Sequence, residues 1–150
     1  MGSSSKPKHV LVLRIWIAIV AFMALGNTFA CFFGSPQFLR ERLYNGKPEE
    51  LSGLAARLFG CWTLLASIVR AYCSLYIYNK TLYHITLLTF VMAFLHFATE
   101  LSHFGTCLLE VGVISPLIIS GVSILWMFIA QYFIEFPEDT VRRSRSAKSS

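Results

Sequence analysis

This sequence predicts an all-α polytopic membrane protein, a four-helix transmembrane bundle with one short interfacial helix after the first span. Three observations predict it. The chain is 55% hydrophobic and only 14% charged, where soluble domains carry about 25% charged residues. Its apolar residues gather into four blocks, each near the roughly 20 residues that cross a hydrocarbon core. The basic runs at 6–8 and 142–148 lie outside the first and last blocks, where orientation signals belong. At 150 residues the chain suits one domain, divided into a polar tail at 1–9, a four-span domain at 10–136 and a basic tail at 137–150.

The first span is expected at 10–33, with Arg14 and Trp16 near its start. Ser35 then offers an N-cap, Pro36 suits a first helical position and Gly46 supplies a stop. Phe38, Leu39 and Leu43 share one face of this segment, so it reads as a short helix lying at the membrane surface. Pro48-Glu49-Glu50 is expected to open the second long helix, with its acids at the positive end of the helix dipole. The apolar part covers 51–73 and continues to Tyr78. Asn79-Lys80-Thr81 makes the tightest turn, so spans two and three are antiparallel neighbours; span three covers 81–101. Residues 105–134 are apolar throughout and interrupted by Ser115-Pro116. The preferred reading starts span four at Pro116, with Ser115 as N-cap, and leaves 105–114 at the surface or folded against the bundle. The alternative is one long, tilted, Pro-kinked helix.

Charge sets the orientation. In a four-span chain the N-terminus, the second loop and the C-terminus share a side, and nine of the 13 Lys and Arg residues fall there. Arg40, Arg42, Lys47 and Arg57 fall opposite. Both termini are therefore expected in the cytosol, which leaves the Asn79-Lys80-Thr81 sequon unglycosylated. Tyr72, Tyr76, Tyr78, Tyr83 and Tyr132 would line that interface as an aromatic belt. The net charge of +5 follows from these flanks, and nucleic acid is not expected as a partner.

Charges at membrane depth normally face a partner or reach for water. Arg70 is expected to snorkel to the interface. Arg57 and Glu100 are expected at matched depth on adjacent antiparallel spans. With Asn27 and His96 they form a predicted intramembrane polar cluster in which Arg57 pairs with Glu100. His96, Glu100 and His103 recur at i, i+4, i+7 on one helix face, but no second ligand-rich segment accompanies them, so no metal is expected. Cys31, Cys61, Cys73 and Cys107 form no CxxC pair and read as small packing residues; a lumenal Cys31–Cys107 disulfide is left open. Nucleophile motifs, histidine boxes and phosphate loops are missing, so neither a catalytic residue nor a cofactor is expected. Gly112, Pro116 and Ser120 recur at four-residue spacing beside Gly121. This strip serves either self-association or packing inside the bundle.

Together, Gly26-Asn27, Leu43-Tyr44, Gly46-Lys47-Pro48, Ala56-Arg57, Phe59-Gly60, Trp62-Thr63, Ile68-Val69-Arg70, Asn79-Lys80-Thr81-Leu82-Tyr83-His84, Thr89-Phe90 and His96-Phe97 with Glu100 resemble the ergosterol biosynthetic protein 28 family. The likeness runs in order through about 10–136, and His103 stands outside its pattern. It implies a non-catalytic endoplasmic-reticulum scaffold that tethers the enzymes of sterol C-4 demethylation. These are a C-4 methyl sterol oxidase, a sterol-4-carboxylate 3-dehydrogenase and a 3-keto sterol reductase. The surface helix, through Phe38 and Leu43, and the second loop, through Lys80 and Tyr83, are the candidate contacts with them. A homodimer and a bound sterol or lipid are left open. The competing reading is a small sterol-binding or sterol-converting enzyme that uses His96 and Glu100 as acid and base. A channel or transporter would show inverted repeats or more lining polar groups, and the sequence has neither.

Overall fold

The structure is a computed structural model that describes residues 8–139. Helix α1 (Lys8–Phe33) begins two residues ahead of the expected boundary and runs 26 residues through the first apolar block. In lipid the backbone must satisfy its own polar groups, and an unbroken helix does so. After Gly34, helix α2 (Pro36–Arg42) starts as its sequence asks: Ser35 Oγ accepts from Gln37 N at 3.3 Å and Pro36 occupies the first turn.

Pro48–Glu50 does not open the second long helix. It forms a separate 3-10 turn, and helix α3 (Gly53–Leu75) starts afresh from Ser52, whose Oγ accepts from Ala55 N at 3.1 Å. The cause is Leu51, which is extended and gives its carbonyl to Arg40 from α2, with Nε at 3.0 Å and Nη2 at 2.7 Å. That carbonyl is taken by a guanidinium instead of by a helical N–H. Helix α3 also stops at Leu75, short of Tyr78. Asn79 caps helix α4 (Lys80–Thr99) through Oδ1 to Leu82 N at 2.9 Å. A π-helical turn at Glu100–Phe104 extends α4 and ends at Gly105, whose φ of +66° is the left-handed conformation that favours glycine.

Helix α5 (Val111–Ala130) corrects the reading of the fourth span. It starts behind Glu110, with Pro116 inside it. Residues 105–110 alone form the connection, and Thr106 and Cys107 within them are buried against the bundle. The early start follows from Gly112: a Cβ there would collide with the backbone carbonyl of Arg42, so its missing side chain lets the first turn of α5 lie on α2. Pro116 leaves one carbonyl of that turn without its helical donor.

All four long helices are long and apolar enough to cross a membrane. They run up and down in two close antiparallel pairs. In the first pair, α1 meets α3 through Arg14 Nε to Ser74 O at 2.7 Å, Ser67 Oγ to Ala21 O at 2.8 Å, and Thr28 to Thr63 at 3.0 Å. Gly60 permits the approach, since a Cβ would stand 2.8 Å from Cys31 Cβ and 2.9 Å from the Phe32 ring. In the second pair, the Tyr83 hydroxyl of α4 donates to Met127 O of α5 at 2.6 Å. Trp16 Nε1 to Ser123 Oγ at 2.9 Å and Arg70 Nε to Thr89 Oγ1 at 3.2 Å tie the pairs together. One apolar cluster, around Leu13, Tyr83, Phe90 and Met127, lies nearer the end where α1 begins. A second, around Leu39, Phe59, Phe97 and Val113, lies at the α2 end.

Candidate functional site

At the α2 end, a chain of polar side chains links three segments distant in sequence. Tyr44, just after α2, meets His96 Nε2 of α4 at 2.9 Å. One helical turn further, Glu100 Oε1 lies 3.9 Å from His96 Nδ1. The other Glu100 carboxylate oxygen accepts from the Thr106 hydroxyl, and the Glu100 carbonyl accepts from Thr106 N at 3.1 Å. Gly46 N to Thr106 O at 3.0 Å and Leu108 N to Asn45 Oδ1 at 2.9 Å stitch the connection onto the α2 segment. Aromatic rings enclose the imidazole: Trp62 at 5.1 Å, Phe97 at 5.1 Å and Phe59 at 6.4 Å between centroids. Burial, reinforced by Cys107 and Glu100, pushes the Tyr44 phenol above its usual range and keeps it protonated. It can then donate to Nε2 and leave the imidazole proton on Nδ1, facing Glu100.

Of the expected cluster, the structure brings together His96 and Glu100. Arg57 is exposed on α3, and among the described residues the ion pairs are Lys47–Glu50, Lys80–Asp139 and His96–Glu100. The carboxylate expected to meet Arg57 is held by Thr106 instead. Asn27 is exposed on α1 and faces a different space. Tyr44 and Thr106 were not legible as site residues. Tyr44 belongs to the family pattern, but nothing in spacing joins it to a histidine 52 residues away.

Between the two helix pairs lies a cavity of about 480 Å³. Ala24, Ala66 and Ala93 face it from three helices, too small to fill the interior where four helices converge. Arg70 borders it and does not snorkel. It is only 7% exposed, with its guanidinium 4.1 Å from the centre of the Phe90 ring.

The remaining expected residues are placed as follows. Tyr83 is fully buried and Leu43 sits in the α2-end cluster, so neither offers a surface to a partner. Phe38 remains exposed beneath Arg42, and Lys80 is half-buried against Asp139 at 2.6 Å. Gly112 faces the Arg42 backbone, Ser120 is buried, and Gly121 faces the Phe94 ring at 3.6 Å from an added Cβ. Gly112 and Ser120 are therefore used in packing within the bundle, while Gly121 is half-buried. Cys31 and Cys107 share the α2-end cluster as free thiols.

A family model described as "Erg28 like protein" matches residues 13–125, from the first turns of α1 into α5. The chain belongs to this family. Among the relatives, mouse "Ergosterol biosynthetic protein 28 homolog" is 49% identical over 124 residues, covering 83% of this chain and 88% of its own. The human homologue is 44% identical over 135 residues, covering 90% and 96%. "Ergosterol biosynthetic protein 28" of Saccharomyces cerevisiae is 29% identical over 113 residues, covering 75% and 76%. No solved structure matches. The family match takes in Tyr44, His96, Glu100 and Thr106, and all four long helices that frame the cavity.

Proposed function

We propose that this chain is a multi-pass endoplasmic-reticulum scaffold of sterol biosynthesis that holds the C-4 demethylation enzymes side by side. Its termini face the cytosol. The observation that carries the reading is family membership across almost the whole four-helix region, with relatives named for ergosterol biosynthesis. The interior agrees with a framework role. Several of its polar side chains, Ser67, Thr28 and Ser123 among them, bridge helices, and among the described residues no buried side-chain N or O atom lacks a partner. The physical benefit is effective concentration: tethered enzymes hand on a poorly soluble intermediate without releasing it into the bulk membrane.

Affinity purification in mild detergent should recover the C-4 methyl oxidase, the 3-dehydrogenase and the 3-keto reductase. Deleting the chain should raise 4-methylated or 4-carboxylated sterol precursors while each enzyme, assayed separately, stays active. Unchanged sterols on deletion would overturn the reading. A second reading, a small sterol-converting enzyme, is favoured by the Tyr44–His96–Glu100–Thr106 chain, which could relay a proton. Turnover of a sterol by the purified chain alone, lost in His96→Phe, would select it.

A further inference from the structure

We propose that the cavity between the two helix pairs binds a carboxylate-headed lipid, its acid paired with Arg70 and its apolar body lying toward the α2 end. The inference goes beyond tethering and stands whether or not the sterol enzymes dock here. Arg70 is 93% buried, being 7% exposed, and it borders the cavity. Nε donates to Thr89 Oγ1 at 3.2 Å and Nη2 to Thr89 O at 3.4 Å. Nη1 makes no hydrogen bond among the described residues and, since no fully enclosed side-chain nitrogen there is left unbonded, keeps some access to the cavity; no carboxylate pairs with the guanidinium. An ionised side chain at this depth is costly unless compensated, and ionisable residues inside membranes mark ligand or ion pathways by default.

The lining supplies the complement. Two arginines, Arg70 and Arg42, border the space and no acidic residue does. The remaining wall is chiefly apolar, and from Phe59 to Arg70 it extends about 16 Å along α3. The volume of about 480 Å³ lies in the range of roughly 300–1,000 Å³ typical of small-molecule sites. A guanidinium takes a carboxylate through two parallel N–H bonds, a geometry a neutral hydroxyl cannot match. Entry is from the bilayer side. Met23 and Asn27 of α1 and Ser115 of α5 border the cavity and are themselves exposed. Gly26 beside them has nothing within 4 Å of an added Cβ.

The test uses the full chain in maltoside detergent, with sodium oleate and 3β-hydroxy-5-cholenoate as carboxylate probes. Oleyl alcohol and cholesterol are their neutral counterparts. At least one carboxylate should bind about tenfold or more tightly than its neutral counterpart and raise the melting temperature; the tighter of the two identifies an acyl or a sterol body. Arg70→Gln, which can still bond Thr89, should bring carboxylate binding down to the neutral level. Ala66→Phe, which fills the space, should weaken every probe. In the unmutated chain, a diazirine-bearing palmitate should label peptides covering 59–70 and 90–97, with labelling competed by oleate but not by oleyl alcohol. Equal binding of acids and neutral lipids, a carboxylate preference that survives Arg70→Gln, labelling only elsewhere, or no binding of any probe would each overturn the proposal.

Discussion

Tyr83 shows how one hydroxyl changes a residue's role. On sequence it sits at a turn, among aromatics of an expected belt. In the fold it is fully buried and its O–H donates to Met127 O across the α4–α5 interface at 2.6 Å. Tyr83→Phe should cost about 1 kcal/mol, the net worth of one such bond, and Tyr83→Ala about 3–5 kcal/mol as a cavity forms. Thermal melts in detergent measure both; a Phe variant as stable as the original would show the bond contributes nothing. Arg57 and Glu100 make a second residue-scale case. Since Glu100 bonds Thr106 and Arg57 is exposed, Glu100→Gln should destabilise and Arg57→Gln should do little. The double change should equal their sum within about 0.5 kcal/mol; clear coupling would restore a direct pair. Cys107 is buried, and burial pushes its thiol up. A raised thiol carries less thiolate near neutral pH, so its alkylation by maleimide in native detergent solution should be slow and should quicken as pH rises. Alkylation as fast as in the unfolded chain would contradict its burial.

At the scale of elements, the Ser35 cap was readable, whereas the expected Ser115 cap and the helix starts set by distant contacts were not. Ser35 and Asn79 cap their helices with the side-chain bonds their residue types offer. The start of α3 was displaced because Arg40, on another helix, takes the Leu51 carbonyl. The start of α5 was displaced because Gly112 lies against the α2 backbone. Local rules favoured Pro116 as a first residue, and tertiary contact carried the helix five residues further back. Gly112→Leu should therefore be strongly destabilising, by about 1–3 kcal/mol or more, because the obstacle is backbone and cannot rotate away. Size-exclusion chromatography of the surviving folded fraction should show an unchanged oligomeric state, since Gly112 packs within the bundle. A folded, fully stable Gly112→Leu protein with altered assembly would return the strip to an outer interface.

Across the whole molecule, the arrangement is two tight helix pairs enclosing a space. The pairs are joined by few polar links, Trp16 to Ser123 and Arg70 to Thr89 among them. Ala24, Ala66 and Ala93 leave the space between the pairs unfilled. A four-span chain built this way presents its outer apolar faces to lipid while its polar groups hold the frame. Protease treatment of sealed microsomes should remove a C-terminal epitope tag, and a protected tag would invert the orientation drawn from the Lys and Arg count. Lys80→Ala should leave stability almost unchanged, because a half-exposed ion pair contributes only about 0–1 kcal/mol. If the second loop contacts the enzymes, the same change should weaken their copurification.

The sequence by itself determined the class of molecule, the four spans, the interfacial helix and the family resemblance. Each rests on local composition or an ordered pattern, and lipid punishes any other use of 20 apolar residues. Only the tertiary structure decided which polar groups meet. Helix faces of uniformly apolar spans carry almost no periodic signal to say which side looks inward. That is why Arg70 turned out buried over Phe90, Glu100 met Thr106 instead of Arg57, and Tyr44 reached His96. The cavity too depends on three alanines from three helices converging at one level, a coincidence of packing that no single segment records.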